Sequence, residues 1–591
     1  MKLAGRQGTK QESATANVSV TGMGSSGRWS SAALQVAVLL LFCLLAVLLF
    51  WSAWQQPERR FIGVGGDPLQ TVSFMSFVAF AAVHHQFLLF SPDFQAPLGV
   101  NLMWNTPVLA LALLLAPVTL SVSGILAYNL AATLALALSG FVAYVMVRRI
   151  TKHTLPALLA GLLYAISPYM IGQEIGHLNL VVLLYPPALG FFLYAFIVEQ
   201  SWGWGRAGIA IGIATAIQLY VGEEVALSSC LAAAFVLFLA AMSRPDLVRD
   251  RVGPIVRALS LAAGIVVVLA GPAIAYQFFG RGAMHGILQV PPGQQSVLAL
   301  LFPTANQWVA PHMVSSLPGV ATLNLAEANV YAGIPLLLLL CFALLRYWSH
   351  LLLRIVVIAA AALYALSLGW WWQSFSVFPV IPDLLPNRIA AHADLLAVIA
   401  VALLLTCIRT RWERVVAGGL VLLTVLTWLP SLPRPVTELE LPLRIPQRVI
   451  GAIPSGSVVA YAPYADPFQP VEMLYTAQSH FLFRMVGGYA YVPGTGPQSP
   501  QYQLAALTSA RALEADGDSP ASPATVQAVR HLLGKLRVDY VLATPGEFFA
   551  SGFMVTPDPV VARGAAHFYD AVLGRPIVSS AGFVLWRVAP S

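Results

Sequence analysis

The chain has 591 residues, 58% hydrophobic and only 10% charged, with a mean hydropathy of +0.76, which excludes an ordinary soluble globular protein. The formal net charge of +7 does not point to nucleic acid, because the basic residues cluster in short loops between apolar runs, where they act as topology signals.

Residues 1–30 are rich in Gly, Ser, Thr and Gln, with scattered Lys2, Arg6, Lys10 and Arg28. They are too polar to bury a core and read as a disordered cytoplasmic tail. The apolar run 32–54 is longer than a signal-peptide core and lacks a small-residue cleavage site, so it reads as a retained spanning helix. Its basic flank places the amino terminus in the cytoplasm.

The first outer loop, 55–123, then carries Gly66-Asp67-Pro68, which sets a carboxylate at the membrane surface just past a spanning helix. Asp followed by Pro is also a good helix start, so a capping role stands beside a functional one. Downstream come His84, His85 and Asp93, and a run rich in turn formers and amides from Pro97 through Asn101 to Asn105. His84 and His85 are adjacent and point in different directions on a helix, so an interfacial role competes with metal ligation.

Apolar runs of spanning length follow near 124–146, 155–171, 179–199, 206–221, 224–242, 255–276, 328–346, 355–371, 393–408 and 414–429. Every second loop carries positive charge, at Arg148, Arg149 and Lys152, at Arg206, at Arg244 to Arg257, at Arg346 and Arg354, and at Arg409 to Arg414. That alternation requires the segment 107–120, short and interrupted by Pro117, to be a juxtamembrane or re-entrant helix. The expected fold is therefore a polytopic α-helical membrane protein with about eleven transmembrane helices, a membrane domain over 31–429 and an external carboxyl terminus. Cys43, Cys230, Cys341 and Cys407 all fall within apolar segments, far apart and without histidine partners at ligand spacing, and read as packed thiols.

Beyond Pro430 the composition changes. Pro430, Pro433, Pro435 and Pro442 read as an extended linker, and the rest of 430–591 as a soluble extracytoplasmic α/β domain. Strands are expected at 457–461, 538–542 and 583–588, with helices at 499–514 and 525–536, the first capped by Ser499 with Pro500 following.

An acidic turn after the first span, the outer-loop segment 97–107, Ser167-Pro168-Tyr169 with Gln173-Glu174-Ile175-Gly176-His177, and an eleven-span layout ending in a soluble domain together resemble the bacterial GT-C membrane glycosyltransferases. Their relatives include protein O-mannosyltransferases and aminoarabinose transferases. The terminal domain, through Met473-Leu474-Tyr475 and Gly487-Gly488-Tyr489, is loosely similar to domains attached to related transferases. The resemblance implies transfer of a sugar from a polyprenyl-phosphate donor to an envelope glycan, lipid or protein on the outer face of the plasma membrane, with no nucleic-acid partner. Asp67 matches the position of the family's catalytic acid residue, and is the expected base. Gly-Asp-Pro stands where many relatives have an acidic pair.

Such a reaction needs a base, positive charge on the departing phosphate and an apolar groove for the prenyl chain. Glu174 and His177, three apart at the outer end of the third span, share one face and are candidates for acceptor binding or for a divalent metal such as Mg2+ or Mn2+, with His84 as a third ligand. Glu223 and Glu224 end the fifth span on the same side, where adjacent carboxylates are costly unless paired; one of them is expected to face inward. Asn101 and Tyr331, with Glu327 and Asn329 nearby, are further candidates for the sugar site, though a polar helix start also explains the last three. Outward positive charge is scarce; Arg388, after Pro382 and Pro386, and Arg281, between Gly280 and Gly282, are the candidates for phosphate, while Arg59 and Arg60 read as headgroup anchors. The loop 278–326, with His285 and Pro291-Pro292-Gly293, reads as a cover over the site. Two other functions compete: a lipid-linked-sugar flippase or transporter, which calls for related halves and midplane charges, and a non-catalytic scaffold presenting the terminal domain.

Overall fold

A computed structural model describes residues 26–284, 295–310, 325–371, 385–466, 470–510, 513, 522–545, 548–550 and 554–589. His285, Pro291, Pro292, Gly293 and Pro382 lie outside them; the helix expected at 499–514 instead ends at Thr508, where Ser509 turns extended.

Among the described residues seven helices are long and apolar enough to cross a membrane: Ala32–Leu49, Gly124–Thr151, Thr154–Gln173, Leu178–Val198, Glu223–Ser243, Val252–Leu269 and Pro386–Cys407. The other four expected spans are also helical, but Trp204–Leu219, Ile334–Arg346 and Leu351–Ser367 have 16, 13 and 17 residues. The last, Arg411–Trp428, opens on Arg411, Glu413 and Arg414, which lower its apolar character. Segment 107–120 forms two six-residue helices, Leu109–Leu114 and Ala116–Ser121, broken at Leu115. At ~1.5 Å per residue each covers about 9 Å, far short of a bilayer core.

Small residues set the packing of the first spans. A Cβ on Gly140 would lie 2.6 Å from the Phe42 ring, and one on Gly161 would lie 2.6 Å from the Gly140 carbonyl. Gly124–Thr151 therefore approaches both its neighbours closely, as glycine permits between membrane helices.

What places Asp67 is a piece of sheet outside the helices. Arg60–Ile62 pairs antiparallel with Val436–Leu439, Phe61 opposite Thr437, so the chain leaving the first span is joined to the chain leaving the last. Buried Asn129 fastens the same strand from below: it receives the Ile62 N–H at 3.0 Å and donates to the Arg60 carbonyl at 2.8 Å. Next comes Gly63, at φ +95°, where a Cβ would fall 2.1 Å from the Ile175 carbonyl oxygen. Only glycine fits this approach. Val64 N–H then donates to that carbonyl at 2.7 Å, and the helix Gly66–Val83 begins directly beside the turn at 174–177.

The segment read as a linker is thus structural: Val436–Leu439 joins a four-stranded sheet with Arg60–Ile62, Met554–Thr556 and Phe548–Ala550. The terminal region is α/β. Its five-stranded sheet runs Val578–Ser580, Phe583–Arg587, Tyr540–Ala543, Val458–Ala462, Arg484–Val486, with the last three parallel. Helices Pro500–Thr508, Pro523–Lys535 and Pro559–Leu573 cover one side, burying Leu504, Val529, Leu533, Tyr569 and Trp586. Ser499 accepts from Tyr502 N–H as the expected cap. The other side faces the membrane part: helix Val471–Gln478 packs on the Asp67 helix.

Candidate functional site

The terminal domain is bonded along its sheet edge to the loop that follows the Asp67 helix. Met485 N–H donates to the Asp93 carbonyl, Ala96 N–H to the Met485 carbonyl, and Gln95 N–H to the Gly487 carbonyl, at 2.8, 2.8 and 3.0 Å. Gly487 and Gly488, at φ +86° and +108°, then turn the chain back over the membrane part, a backbone shape that glycine adopts without strain. The turn is held by Gln70, donating to the Tyr489 carbonyl at 2.7 Å, and by Asn105, which exchanges two hydrogen bonds with the Tyr491 backbone. Tyr489 OH is thereby delivered to Asp67, donating to Oδ1 at 2.9 Å.

Asp67 sits in the first turn of its helix, one residue inside Gly66, and Gly65 is the cap. No backbone N–H among the described residues donates to its carboxylate, so capping does not account for it. The negative charge is nonetheless well placed against the helix dipole. Oδ2 has no hydrogen-bond partner among the described residues; His177 Nε2 lies 3.9 Å from it, and the Asp67 side chain is 36% exposed.

From His177 a polar chain continues inward. Its Nδ1 bonds Gln173 Oε1 at 2.6 Å and lies 3.6 Å from Glu327 Oε1. Gln173 Nε2 donates to Glu327 Oε2 at 3.2 Å, and Asn387 Nδ2 to the same oxygen at 2.6 Å. Arg388 joins two carboxylates, Glu327 at 2.5 Å and Glu224 at 2.6 Å. Burial alone would raise Glu327, but Arg388, His177 and Asn387 outweigh it and hold the carboxyl at about 2. Burial, and then the charge of Asp67, push the Tyr489 hydroxyl well up, so it stays a donor. Burial, and then the charge of Asp67, push the Tyr491 hydroxyl up, with Arg388 partly offsetting them.

Of the residues singled out in the sequence, Asp67, His177, Glu224 and Arg388 therefore converge, with Glu327 as their hub. Glu223 diverges from Glu224, receiving a weak contact from Gln277 at 3.4 Å. Glu174 is engaged elsewhere: Arg434, between Pro433 and Pro435, donates its Nε–H to Glu174 Oε1 and another N–H to the Ile171 carbonyl at 2.7 Å. Both side chains of this pair are at most 2% exposed. Burial pushes the Glu174 carboxyl up and Arg434 only partly offsets it. Asn101 serves its own loop, accepting from Met103 N–H at 3.1 Å and receiving the Asn105 amide on its carbonyl at 2.9 Å. Tyr331 is packed in the core. Arg281 lies over the Phe90 ring, 4.4 Å from its centroid, and His84 stacks on Phe80 at 3.9 Å.

His84 closes the far end of the Asp67 helix, 17 residues beyond Asp67, or roughly 25 Å at ~1.5 Å per residue. With Glu174 taken by Arg434, the set His84, Glu174 and His177 does not meet at one point. Among the described residues no three His, Cys, Asp or Glu side chains are grouped to hold a metal ion. Sequence reasoning missed Asn387, Tyr491 and Arg434. Asn387 adjoins Arg388 and was signalled by position alone; the other two are brought in by pairings across hundreds of residues.

No protein-family model and no curated protein matches the sequence. Among solved structures, the chain is similar to arabinofuranosyltransferase AftD from Mycobacteria, at 15% identity and TM-score 0.48, over 96% of this chain and 40% of that one. It is also similar to the archaeal oligosaccharyltransferase AglB from Archaeoglobus fulgidus in complex with an inhibitory peptide and a dolichol-phosphate, at 14% identity and TM-score 0.47, over 87% and 70% of the two chains. The Archaeoglobus fulgidus oligosaccharyltransferase tethered to an acceptor peptide follows at 14% and 0.45, over 92% and 72%. The chain thus spans less than half the length of AftD.

Proposed function

We propose that this protein is a membrane glycosyltransferase that moves a sugar from a polyprenyl-phosphate donor to an acceptor hydroxyl on the extracytoplasmic face, within an eleven-span membrane domain whose amino terminus is cytoplasmic. The observation that carries the reading is the convergence of Asp67, His177, Glu327, Arg388 and Tyr489 where the outer loop, the 173–177 turn and the terminal domain meet. A base with one restrained oxygen and one free oxygen is what deprotonation of an acceptor requires. Asp67 Oδ2 takes the acceptor proton, the acceptor oxygen bonds to the anomeric carbon, and the sugar–phosphate bond breaks with its electron pair leaving on the lipid phosphate.

Arg388 is the positive charge for that phosphate. A guanidinium has five N–H donors, and Glu224 and Glu327 take three of them, so two remain for phosphate oxygens. An apolar groove of about 540 Å³, lined by Leu88, Leu89, Leu109, Leu113, Ile217 and Tyr220, supplies the path for the prenyl chain. One of its walls, Tyr220, stands four residues before Glu224, the carboxylate that grips Arg388. The polar chain gathers at one mouth, which favours a transferase over a transporter, and Tyr489 completes the site from the terminal domain, which ties that domain to the chemistry.

The test is transfer by the purified protein in lipid nanodiscs, supplied with labelled polyprenyl-phosphate sugars or with nucleotide sugars. Release of polyprenyl phosphate with sugar appearing on an acceptor is expected from the lipid donors alone. Use of nucleotide sugars, or no turnover of any lipid-linked donor, would overturn the reading.

A further inference from the structure

A second cavity, of about 730 Å³, opens between the outer loop and the terminal domain. Its walls carry the rings of Phe80, Phe87, Phe90 and Phe481. Between them stand His84, Gln86, Asp93, Arg281, Ser455 and His480. Among the described residues no hydrogen bond engages the side chains of Gln86, Ser455 or His480, or the Asp93 carboxylate. Their polar ends are therefore open to a ligand. Phe80 and His84 lie 13 and 17 residues beyond Asp67 at the other end of one helix, which puts the cavity roughly 20–25 Å from the reacting carboxylate at ~1.5 Å per residue.

We propose that this cavity is a saccharide-binding site, which holds the part of an acceptor glycan remote from the hydroxyl being glycosylated. The volume lies in the range of small-molecule sites. Sugar hydroxyls both donate and accept, and the cavity offers both: Asp93 accepts, Arg281 donates, and Gln86, Ser455 and the two imidazoles do either. The apolar faces of sugar rings fit against flat aromatic walls. A phosphate would be met by Arg281 and the histidines but repelled by Asp93, and a purely apolar ligand would leave Gln86, Asp93, Ser455 and His480 unpaired, whereas His84 and Arg281 keep bonds to the Phe80 and Leu98 carbonyls. Each end of the Asp67 helix is met by the terminal domain, through Tyr489 at one and through Ser455, His480 and Phe481 at the other. A glycan lying along this seam would reach from the cavity to Asp67.

That the saccharide belongs to the acceptor rests on the transferase reading; that the cavity binds saccharide does not. The experiment keeps them apart by measuring equilibrium binding in full-length Asp67→Asn protein in nanodiscs, where transfer plays no part. Linear tetrasaccharides of arabinose, mannose, glucose and galactose are titrated, with inorganic phosphate as a separate arm. Saturable binding of at least one tetrasaccharide is expected, weakened roughly tenfold or more by Asp93→Asn, which removes a charged acceptor, and likewise by Phe87→Ala. Phe87 is 56% exposed, so that variant keeps its fold. The proposal is overturned if no tetrasaccharide binds saturably, if Phe87→Ala binds as tightly as its parent, or if phosphate alone competes for the cavity. Binding here, together with no transfer by the wild-type protein from any lipid-linked donor, would keep the cavity assignment and remove the transferase reading.

Discussion

Replacing Tyr489 by Phe deletes one oxygen and isolates what the terminal domain contributes to the site. The hydroxyl donates to Asp67 Oδ1 at 2.9 Å, while the backbone on either side is held independently by Gln70 and Asn105. The ring therefore stays in place, and stability should change little. A hydrogen bond to a charged group contributes about 1.5–3 kcal/mol, and here it fixes the orientation of the base. If half or more of that is expressed in the transition state, kcat falls roughly threefold to a hundredfold, since about 1.4 kcal/mol is a factor of ten. KM for the lipid donor should hardly move, because Tyr489 touches neither Arg388 nor the groove. The assay is steady-state transfer by purified wild type and Tyr489→Phe at matched protein folding, checked by thermal melting. A wild-type kcat in Tyr489→Phe would refute the claim that the terminal domain positions the base, and a rise in KM alone would move Tyr489 to substrate binding.

Arg434→Ala leaves Glu174 as an unpaired buried carboxyl and should destabilise the fold by about 3–5 kcal/mol, seen as a large drop in melting temperature or loss of membrane-inserted protein; a stable variant would contradict the structural assignment of this pair. Asp93 is raised to about 6, by burial first and against the pull of Arg484, so its folded value lies above the ordinary 3.8 and the folded state binds the proton more tightly. Its contribution is then most favourable below about pH 4 and declines as pH rises to about 6. Asp93→Asn should accordingly melt above wild type at pH 7 and alongside it near pH 4, and a difference that does not grow with pH would refute this. For topology, a cysteine at Gln503 should react with an impermeant thiol reagent in intact cells and one at Arg249 should not; the reverse pattern would turn Asp67 to the cytosol.

The parts of this fold legible in the sequence are those set by local pattern. Apolar runs marked each helix of the membrane part, Pro117 marked the break in 107–120, and β-branched runs placed strands Val458–Ala462, Tyr540–Ala543 and Phe583–Arg587 within two residues. Asp67, His177, Glu224 and Arg388 stood out because charge beside a membrane is costly and scarce. What stayed hidden depends on contacts between distant parts of the chain. Tyr489 meets Asp67 across 422 residues, and Glu174 meets Arg434 across 260. Nothing local in Pro433-Arg434-Pro435 distinguishes a buried ion-pair partner from a solvated linker. Likewise Glu174 and His177 share a helical spacing, yet the chain leaves the helix at Gln173, so the two side chains go to different partners. Span length was the other limit: composition shows that Ile334–Arg346 is apolar but not that its helix is only 13 residues long.

The central claim is that Asp67 is the base, and the most direct measurement is the transfer rate of Asp67→Asn. Asparagine keeps the size and the Tyr489 contact but cannot take a proton. The account predicts a kcat lower by about a hundredfold or more, as for loss of a positioned general base, in a protein that inserts and melts like wild type. Transfer at the wild-type rate would contradict it, leaving Asp67 as a charge at a helix start and removing the chemical basis of the proposed function.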